Sequence, residues 1–235
     1  MATVYSPASQ AVKLAGLDRL ADHVREAPDV VALGLRIITG NTVRLIGALA
    51  DAGIDGVFLT VQNAQAAAFT AVEYAGLGLP GDRASLEAAR VLPFNILHLH
   101  GDGVHCALFE DRPPALLHLE AAPGNPAPET LLARGGLASG PSPWGAISTG
   151  SAVEAFVEAQ ALLVRLKGPR FMLAPGCTLP LAVPAANLQA LIAAARTPRP
   201  DRQAPERSCR DADVQLPAEP DECEHLKMGG PSHSV

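Results

Sequence analysis

Short apolar runs alternate with longer amphipathic stretches along most of the chain. The short runs have the length of strands and are apolar at consecutive positions, as strands covered on both faces of a sheet are. They are, in chain order, "TVYS", "DGVFLTV", "FNILHLH", "PALLHLEA", "WGAIST" and "RFMLAPG". The pattern therefore predicts six strands that are separated by helices.

The amphipathic stretches between these runs predict the helices. They are, in order, "ASQAVKLAG", "LDRLADHVREA", "PDVVALGLRIITGNTVRLIGALADAG", "NAQAAAFTAVEYAG", "DRASLEAARVL", "VHCALFED", "ETLLARGG", "AVEAFVEAQALLVRLKG" and "PAANLQALIAAAR". Pro28 at a first turn and Gly53 past a last turn favour one long third helix, although internal glycines, among them Gly34 and Gly40, weaken that prediction. Ser151 and Glu154 have the spacing of a capping box.

Strand and helix alternate about six times, which predicts an α/β protein with a parallel sheet. Two architectures stay open, an open doubly wound sheet and a (β/α)8 barrel. No GxGxxG follows a predicted strand and no Walker A sequence occurs, so dinucleotide and P-loop sites have no support. The composition changes near Thr197. Residues 1–196 are expected to form the folded domain, and residues 197–235, rich in proline and charge, a disordered tail.

Composition narrows the classes of function. Hydrophobic residues make up 48% and charged residues 18%, which is enough for a sizeable core. The net charge of -6 and the pI of about 5.6 argue against a nucleic-acid-binding surface. The absence of a basic, apolar leader and of a charge-free apolar run predicts a cytoplasmic protein without a signal peptide or membrane span. Four cysteines without a CxxC pair fit reduced thiols.

The stretch "FNILHLHGDGVHC" holds three of the seven histidines and one of the four cysteines. His98 and His100 are two positions apart on a predicted strand, so their side chains leave the same face, while Leu97 and Leu99 point the other way. Two such imidazoles can chelate one metal ion, and Cys177, just after the last predicted strand, is the best third ligand. This set predicts a zinc site with one open position. The alternative is two ordinary histidines, one hydrogen-bonded and one exposed.

Other polar side chains also follow predicted strands. His118 and Glu120 share one face near a strand end, where we expect either an acid/base pair in the pocket or structural hydrogen bonds, the second being favoured. Gln62 and Asn63 end the second strand and are expected to bind substrate, although Asn63 can instead cap the next helix. Asp102 follows the third strand and is expected to line the same site.

Several blocks resemble, in order, the later strand-and-loop segments of the uroporphyrinogen decarboxylase superfamily. They are "AGIDGVFLT", "NILHLHGD", "WGAIST" and "GPRFMLAPGCTLPLAVPAANLQALIAAAR", while "TVYSPASQAVKLAG" is similar to the segment after an earlier barrel strand. The resemblance spans roughly residues 3–196. It implies a TIM-type (β/α)8 barrel that is incomplete, with about six βα units and two sheet edges. A truncated product, a homodimer that covers the gap and an inactive chain all stay open.

The resemblance also implies two kinds of chemistry. One branch of the superfamily is a cofactor-free decarboxylase of tetrapyrrole biosynthesis. Another branch consists of zinc-dependent enzymes that move a methyl group from a corrinoid protein to a thiol such as coenzyme M, and it binds zinc through a His-x-Cys pair and a later Cys. Here His98 and Cys177 resemble the first and last of these ligands, and His100 stands in place of the middle Cys.

The methyltransferase branch therefore implies a thiol substrate, a methyl donor and a corrinoid protein as a partner. The decarboxylase branch implies a tetrapyrrole substrate and no metal. It is matched less well, because its "NLGHG" block is "APGCT" here and its N-terminal arginines have no counterpart. The sequence favours zinc-assisted methyl transfer to or from a thiol, with decarboxylation as the alternative. An inactive barrel that serves as a binding module is the third interpretation.

Overall fold

The computed structural model describes residues 1–197 of the chain. The segment predicted to be a disordered tail, residues 197–235, lies outside the described residues except for Thr197, which closes the last helix. All structural statements below concern residues 1–197.

Strands and helices alternate along the described residues, as the hydrophobic pattern predicts. The strands are β1 (Ala2–Tyr5), β2 (Val57–Val61), β3 (Ile96–Leu99), β4 (Leu116–Leu119), β5 (Leu137–Ser139) and β6 (Phe171–Leu173). The helices are α1 (Pro7–Ala15), α2 (Leu17–Glu26), α3 (Pro28–Asp51), α4 (Ala71–Leu77), α5 (Leu79–Ala88), α6 (Pro128–Arg134), α7 (Ala146–Thr149), α8 (Ala152–Arg165) and α9 (Ala185–Arg196). Two 3-10 helices cover Ala89–Val91 and Cys106–Phe109.

The six strands form one parallel sheet in which each strand pairs with the next strand along the chain, in the order β1-β2-β3-β4-β5-β6. A doubly wound sheet reverses its strand order at a switch point, and this sheet does not. Right-handed crossovers that always advance in one direction place their connecting helices on one face of the sheet. Within residues 1–197, no pairing joins β1 to β6.

The two faces of the sheet differ in chemistry because successive side chains of a strand alternate between them. The helix-covered face carries a row of register partners that are all buried and apolar: Val4, Leu59, Leu97, Leu117, Leu137 and Phe171. The opposite face carries a second row of register partners, here called the histidine layer: Tyr5, Thr60, His98, His118, Ala138 and Met172. The core therefore lies between sheet and helices, and the polar groups lie on the other face.

The prediction of a strand at "WGAIST" is wrong. This segment contains the short helix α7, and the fifth strand is instead β5, Leu137–Ser139. Isoleucine and threonine favour strands, which makes "WGAIST" look extended in sequence. The three residues of β5 are too few to show a period, although all three are buried.

The predicted helix "NAQAAAFTAVEYAG" forms only in its second half, as α4. Thr70 caps α4 through a capping box with Glu73, so the alternative role of Asn63 as the helix cap is wrong. The capping box of Ser151 and Glu154 at the start of α8 is confirmed. The long helix α3 runs unbroken from Pro28, also as predicted.

Helix α3 is the one described helix that is long and apolar enough to cross a membrane by length and composition. The helix contains Arg36 and Arg44, so it is not a charge-free apolar run. Only 22% of the most apolar 18-residue part of this helix is buried in the protein. One such helix is weak evidence for a membrane span.

A buried carboxyl group links α4 to α5. Asp82 and Tyr74 are both fully buried, and the Tyr74 hydroxyl donates a hydrogen bond of 2.8 Å to Oδ2 of Asp82. Burial raises the pKa of Asp82 to about 7 and also raises the pKa of Tyr74. The carboxyl group is therefore protonated in the folded chain at pH values where an exposed aspartate is ionised.

We expect Asp82 to make folding less favourable as the pH rises from about 4 to about 7, because only the folded state keeps the carboxyl proton over that range. The free energy of unfolding should fall by up to ~1.4 kcal/mol per pH unit from this group. Urea denaturation of the wild type and of Asp82→Asn checks this across the same range. As the pH rises, the free energy of unfolding of the wild type should fall relative to that of the variant. A difference that does not change with pH would contradict the expectation.

Candidate metal centre

The C-terminal end of β3 supplies two imidazoles to the same face of the sheet. His98 lies within β3 and is buried, and His100 follows the strand and is partly buried. The backbone N–H of His100 donates to the carbonyl of Val61 at 2.9 Å, which continues the pairing of β3 with β2 beyond the strand end. Leu97 and Leu99 are fully buried on the helix-covered face. The two-residue spacing of His98 and His100 therefore places both imidazoles on one face of the sheet, as predicted.

Cys177 reaches the same place from the loop that follows β6. Two backbone hydrogen bonds tie this loop to the end of β5, from Ala174 N–H to Ser139 O at 3.1 Å and from Gly176 N–H to Pro141 O at 2.9 Å. The loop therefore passes close to the end of β5 and holds Cys177 over the carboxyl edge of the sheet.

Gly140, directly after β5, permits this close approach. A Cβ atom at this position would lie 1.9 Å from the carbonyl oxygen of Ala174, closer than any real contact. Only a residue without a side chain fits between the β5 end and the loop.

The potential ligand atoms of His98, His100 and Cys177 lie within 4.8 Å of one another. The Cys177 Sγ atom is 3.1 Å from His100 Nδ1 and 3.6 Å from His98 Nε2. In a tetrahedral zinc site, bonds of about 2.3 Å to sulfur and about 2.0 Å to nitrogen separate the sulfur and nitrogen ligands by roughly 3.5 Å. The three side chains therefore fit a metal ion, and three protein ligands leave one position for a substrate.

The electrostatics of the group suit a cation. Burial, followed by the neighbouring rings of His118 and His100, lowers the pKa of His98 to about 3, so this imidazole is neutral. Neutral imidazole is the form that binds metals. Burial, with a smaller effect of the Glu120 charge, raises the pKa of the Cys177 thiol. A bound cation would reverse that preference, because a coordinating thiol loses its proton.

His118 and Glu120 make separate hydrogen bonds. The His118 Nε2 atom lies 2.7 Å from the carbonyl oxygen of Pro175, and the Ser142 hydroxyl donates to Glu120 Oε1 at 3.0 Å. Each residue thus bonds to a loop that follows β5 or β6, and no hydrogen bond between His118 and Glu120 is among those of the described residues. The His118 ring also packs against His98, with 4.7 Å between the ring centroids. An acid/base role for the two residues stays a prediction.

The three residues predicted to bind substrate lie in loops after β2 and β3. The Gln62 backbone N–H donates to the Ser9 hydroxyl and its carbonyl accepts from Gln65, while Asn63 is buried. Asp102 is exposed. Substrate binding by Gln62, Asn63 and Asp102 stays a prediction.

Sequence reasoning missed Asn125, which joins the loops after β3 and β4. Its side-chain oxygen accepts from Val104 N–H at 2.9 Å, and its amide nitrogen donates to the carbonyls of Gly101 and Glu120 at 2.8 and 3.2 Å. The only signal in sequence is an asparagine in a turn, which is too common to single it out.

Comparison with known proteins supports the fold. No family model matches the chain, and no curated protein matches it. Among solved structures, a methyltransferase from Methanosarcina mazei has a similar fold, with a TM-score of 0.70 and 19% sequence identity. The match covers 82% of this chain and 56% of that methyltransferase.

The chain is therefore an α/β protein whose fold is similar to that of a methyltransferase, with a His, His and Cys group that can hold a metal ion. It spans little more than half the length of the methyltransferase it matches. At this identity, the likeness concerns the fold alone.

We expect the purified protein to bind about one zinc ion per chain through this group, because the group supplies three ligands at suitable spacing. The double variant His100→Ala with Cys177→Ala should lose that zinc. His105→Ala is the control, because His105 lies nearby in sequence but outside the group. Elemental analysis of dialysed, folded protein gives the measurement. A full zinc content in the double variant would rule out the site.

We also expect Gly140→Ala to weaken zinc binding, since the new methyl group must push the Cys177 loop away from β5. Overpacking of this kind costs roughly 1–3 kcal/mol of stability. Gly47→Ala is the matched control, because a Cβ atom at Gly47 in α3 meets nothing within 4 Å. Zinc titration with a competing chelator should separate the two variants, and equal affinities would contradict the role of Gly140.

Proposed function

We propose that this chain is a zinc-dependent methyltransferase-type protein of the uroporphyrinogen decarboxylase superfamily, acting on a thiol. The observation that carries the proposal is the convergence of His98, His100 and Cys177 at the carboxyl edge of a parallel sheet. Active sites of (β/α)8 enzymes lie at that edge. The methyltransferase-like fold adds support of a more general kind.

The fold part of the proposal is that the described residues form six βα units of a TIM-type barrel. Their strands are parallel and follow one another in chain order, as the strands of a (β/α)8 barrel do. The match covers 56% of the similar methyltransferase, which is in keeping with a chain shorter than the whole barrel. Because β1 and β6 do not pair, a second copy of the chain is one proposed cover for the gap.

The residues present suit zinc in the proposed site. His98 Nε2, His100 Nδ1 and Cys177 Sγ are the atoms that would hold it. When bound, zinc supplies a Lewis acid that keeps a substrate thiol as its nucleophilic thiolate at neutral pH. A corrinoid protein is the proposed methyl donor.

The packing and protonation of the candidate ligands also suit metal binding. The Phe58 ring stacks on His98 with 5.4 Å between centroids, which shields that imidazole from water and fixes its plane. Cys177 would give up its proton to bind a metal, whereas the buried, neutral His98 would offer its lone pair without losing a proton.

His100 distinguishes this centre from the superfamily pattern, in which the middle ligand is a thiolate. Two neutral nitrogens and one sulfur leave one more unit of positive charge at the metal than one nitrogen and two sulfurs. Zinc held by this set would bind a substrate thiolate more firmly and leave it a weaker nucleophile, because nucleophilicity falls as the thiol pKa falls.

Tetrapyrrole decarboxylation, the alternative from the sequence, gains no specific support. Its substrate carries several carboxylates and needs cationic partners. Arg112 donates to the backbone carbonyls of Phe109 and Ala115, and Arg170 precedes β6 at the end of the strand away from Cys177. The inactive binding module also stays a hypothesis.

The proposed activity predicts that zinc-loaded protein transfers the methyl group of methylcobalamin, used as a probe, to 2-mercaptoethanesulfonate. Loss of methylcobalamin absorbance measures the reaction. Cys177→Ala and His98→Ala should reduce the rate to that without protein, because each removes a ligand. His105→Ala should leave it unchanged.

A folded wild type that holds stoichiometric zinc and gives no methyl transfer with a panel of thiols would refute the proposed activity. Formation of a decarboxylated porphyrinogen by the same preparation would instead favour the alternative.

A further inference from the structure

We propose that His118 is a positioning residue that holds the Cys177 loop in place for metal binding. Its ring donates Nε2–H to the carbonyl oxygen of Pro175, which lies two residues before the metal-binding sulfur. The proposal rests on the metal centre described above and assigns His118 a role next to it, outside the ligand set.

The hydrogen bond defines which nitrogen of His118 carries the proton. A carbonyl oxygen can only accept, so the Nε2 atom at 2.7 Å must be the donor. The Nδ1 atom is buried with no hydrogen bond among residues 1–197, so a proton on it would have no acceptor. His118 is therefore a fixed, single-tautomer donor.

Pro175 makes this bond important for the loop. Proline has no backbone N–H, so its carbonyl is the only group through which this residue can join the hydrogen-bond network. The two neighbouring anchors, at Ala174 and Gly176, both lead to the end of β5. The bond from His118 is the anchor that leads to β4.

The histidine layer explains how a residue of β4 reaches a loop that follows β6. Strand β5 lies between them, and its residue in the same row is Ala138, which is small and fully buried. A larger side chain there would crowd the ring of His118, its register partner on the same face of the sheet.

The same ring also packs against a metal ligand, because His98 is the register partner of His118 on the other side. One side chain therefore contacts a group that supplies nitrogen and holds the loop that supplies sulfur. Loss of a side chain that supports metal ligands in this way typically lowers metal affinity by roughly 10–100-fold.

The test compares two substitutions of similar size and polarity. His118→Gln places an amide N–H near the position of Nε2, whereas the side chain of His118→Asn is too short to reach Pro175. The control is His105→Asn, because His105 also donates a ring N–H to a backbone carbonyl, that of Phe69, at 2.8 Å. Zinc affinity is measured by chelator competition, and the thiolate-to-cobalt absorption band reports whether Cys177 binds in the cobalt-loaded protein.

We expect His118→Asn to lower zinc affinity by roughly 10–100-fold and to weaken the cobalt band. His118→Gln should retain more of both, and His105→Asn should match the wild type. Circular dichroism checks that each variant is folded. Wild-type affinity and band intensity in folded His118→Asn would overturn the proposal, and so would equal losses in the Gln and Asn variants.

A second variant keeps the proposal testable if His118→Asn does not fold. Ala138→Val leaves all histidines in place but crowds the neighbouring His118 ring, which should displace the ring from Pro175 and so also weaken zinc binding. Unchanged affinity in Ala138→Val would then overturn the proposal. A wild type that binds no zinc through Cys177 would refute the metal centre itself, whereas zinc binding that ignores His118 would refute only the positioning role.

Discussion

The parallel register of β2, β3 and β4 is the constraint on which the candidate metal centre depends. It places Thr60, His98 and His118 side by side in one layer and sends Leu59, Leu97 and Leu117 to the helix-covered face. A slip of one residue would exchange the two faces, burying imidazoles among helices and exposing leucines. The hydrophobic core and the candidate site are therefore specified by the same backbone hydrogen bonds.

Burying two histidines in this layer has an energetic cost that the neutral state limits. Burial lowers the pKa values of His98 and His118, so neither ring carries a charge into the interior. The same condition leaves nitrogen lone pairs available, which is what a metal ion requires. The features that make the layer compatible with folding thus also make it suitable for a cation.

The likeness to a methyltransferase and the composition of the site give different kinds of information. The first, at 19% identity, describes how the strands and helices are arranged. Chemistry depends on the individual side chains, and here two imidazoles, His98 and His100, lie beside the thiol of Cys177. A fold can host several reactions, so the nature of the ligands carries the functional argument.

The sequence by itself determined the local features. The two-residue period of a strand places His98 and His100 on one face, and most helices and strands follow from their hydrophobic patterns and caps. Tertiary structure decided the rest. Cys177 is 77 positions from His100, and their 3.1 Å contact depends on the order of the strands and on the space left at Gly140. The three-residue strand β5 and the hydrogen bonds of Asn125 could not be predicted from the sequence either. Both depend on contacts between distant parts of the chain and have no local sequence pattern.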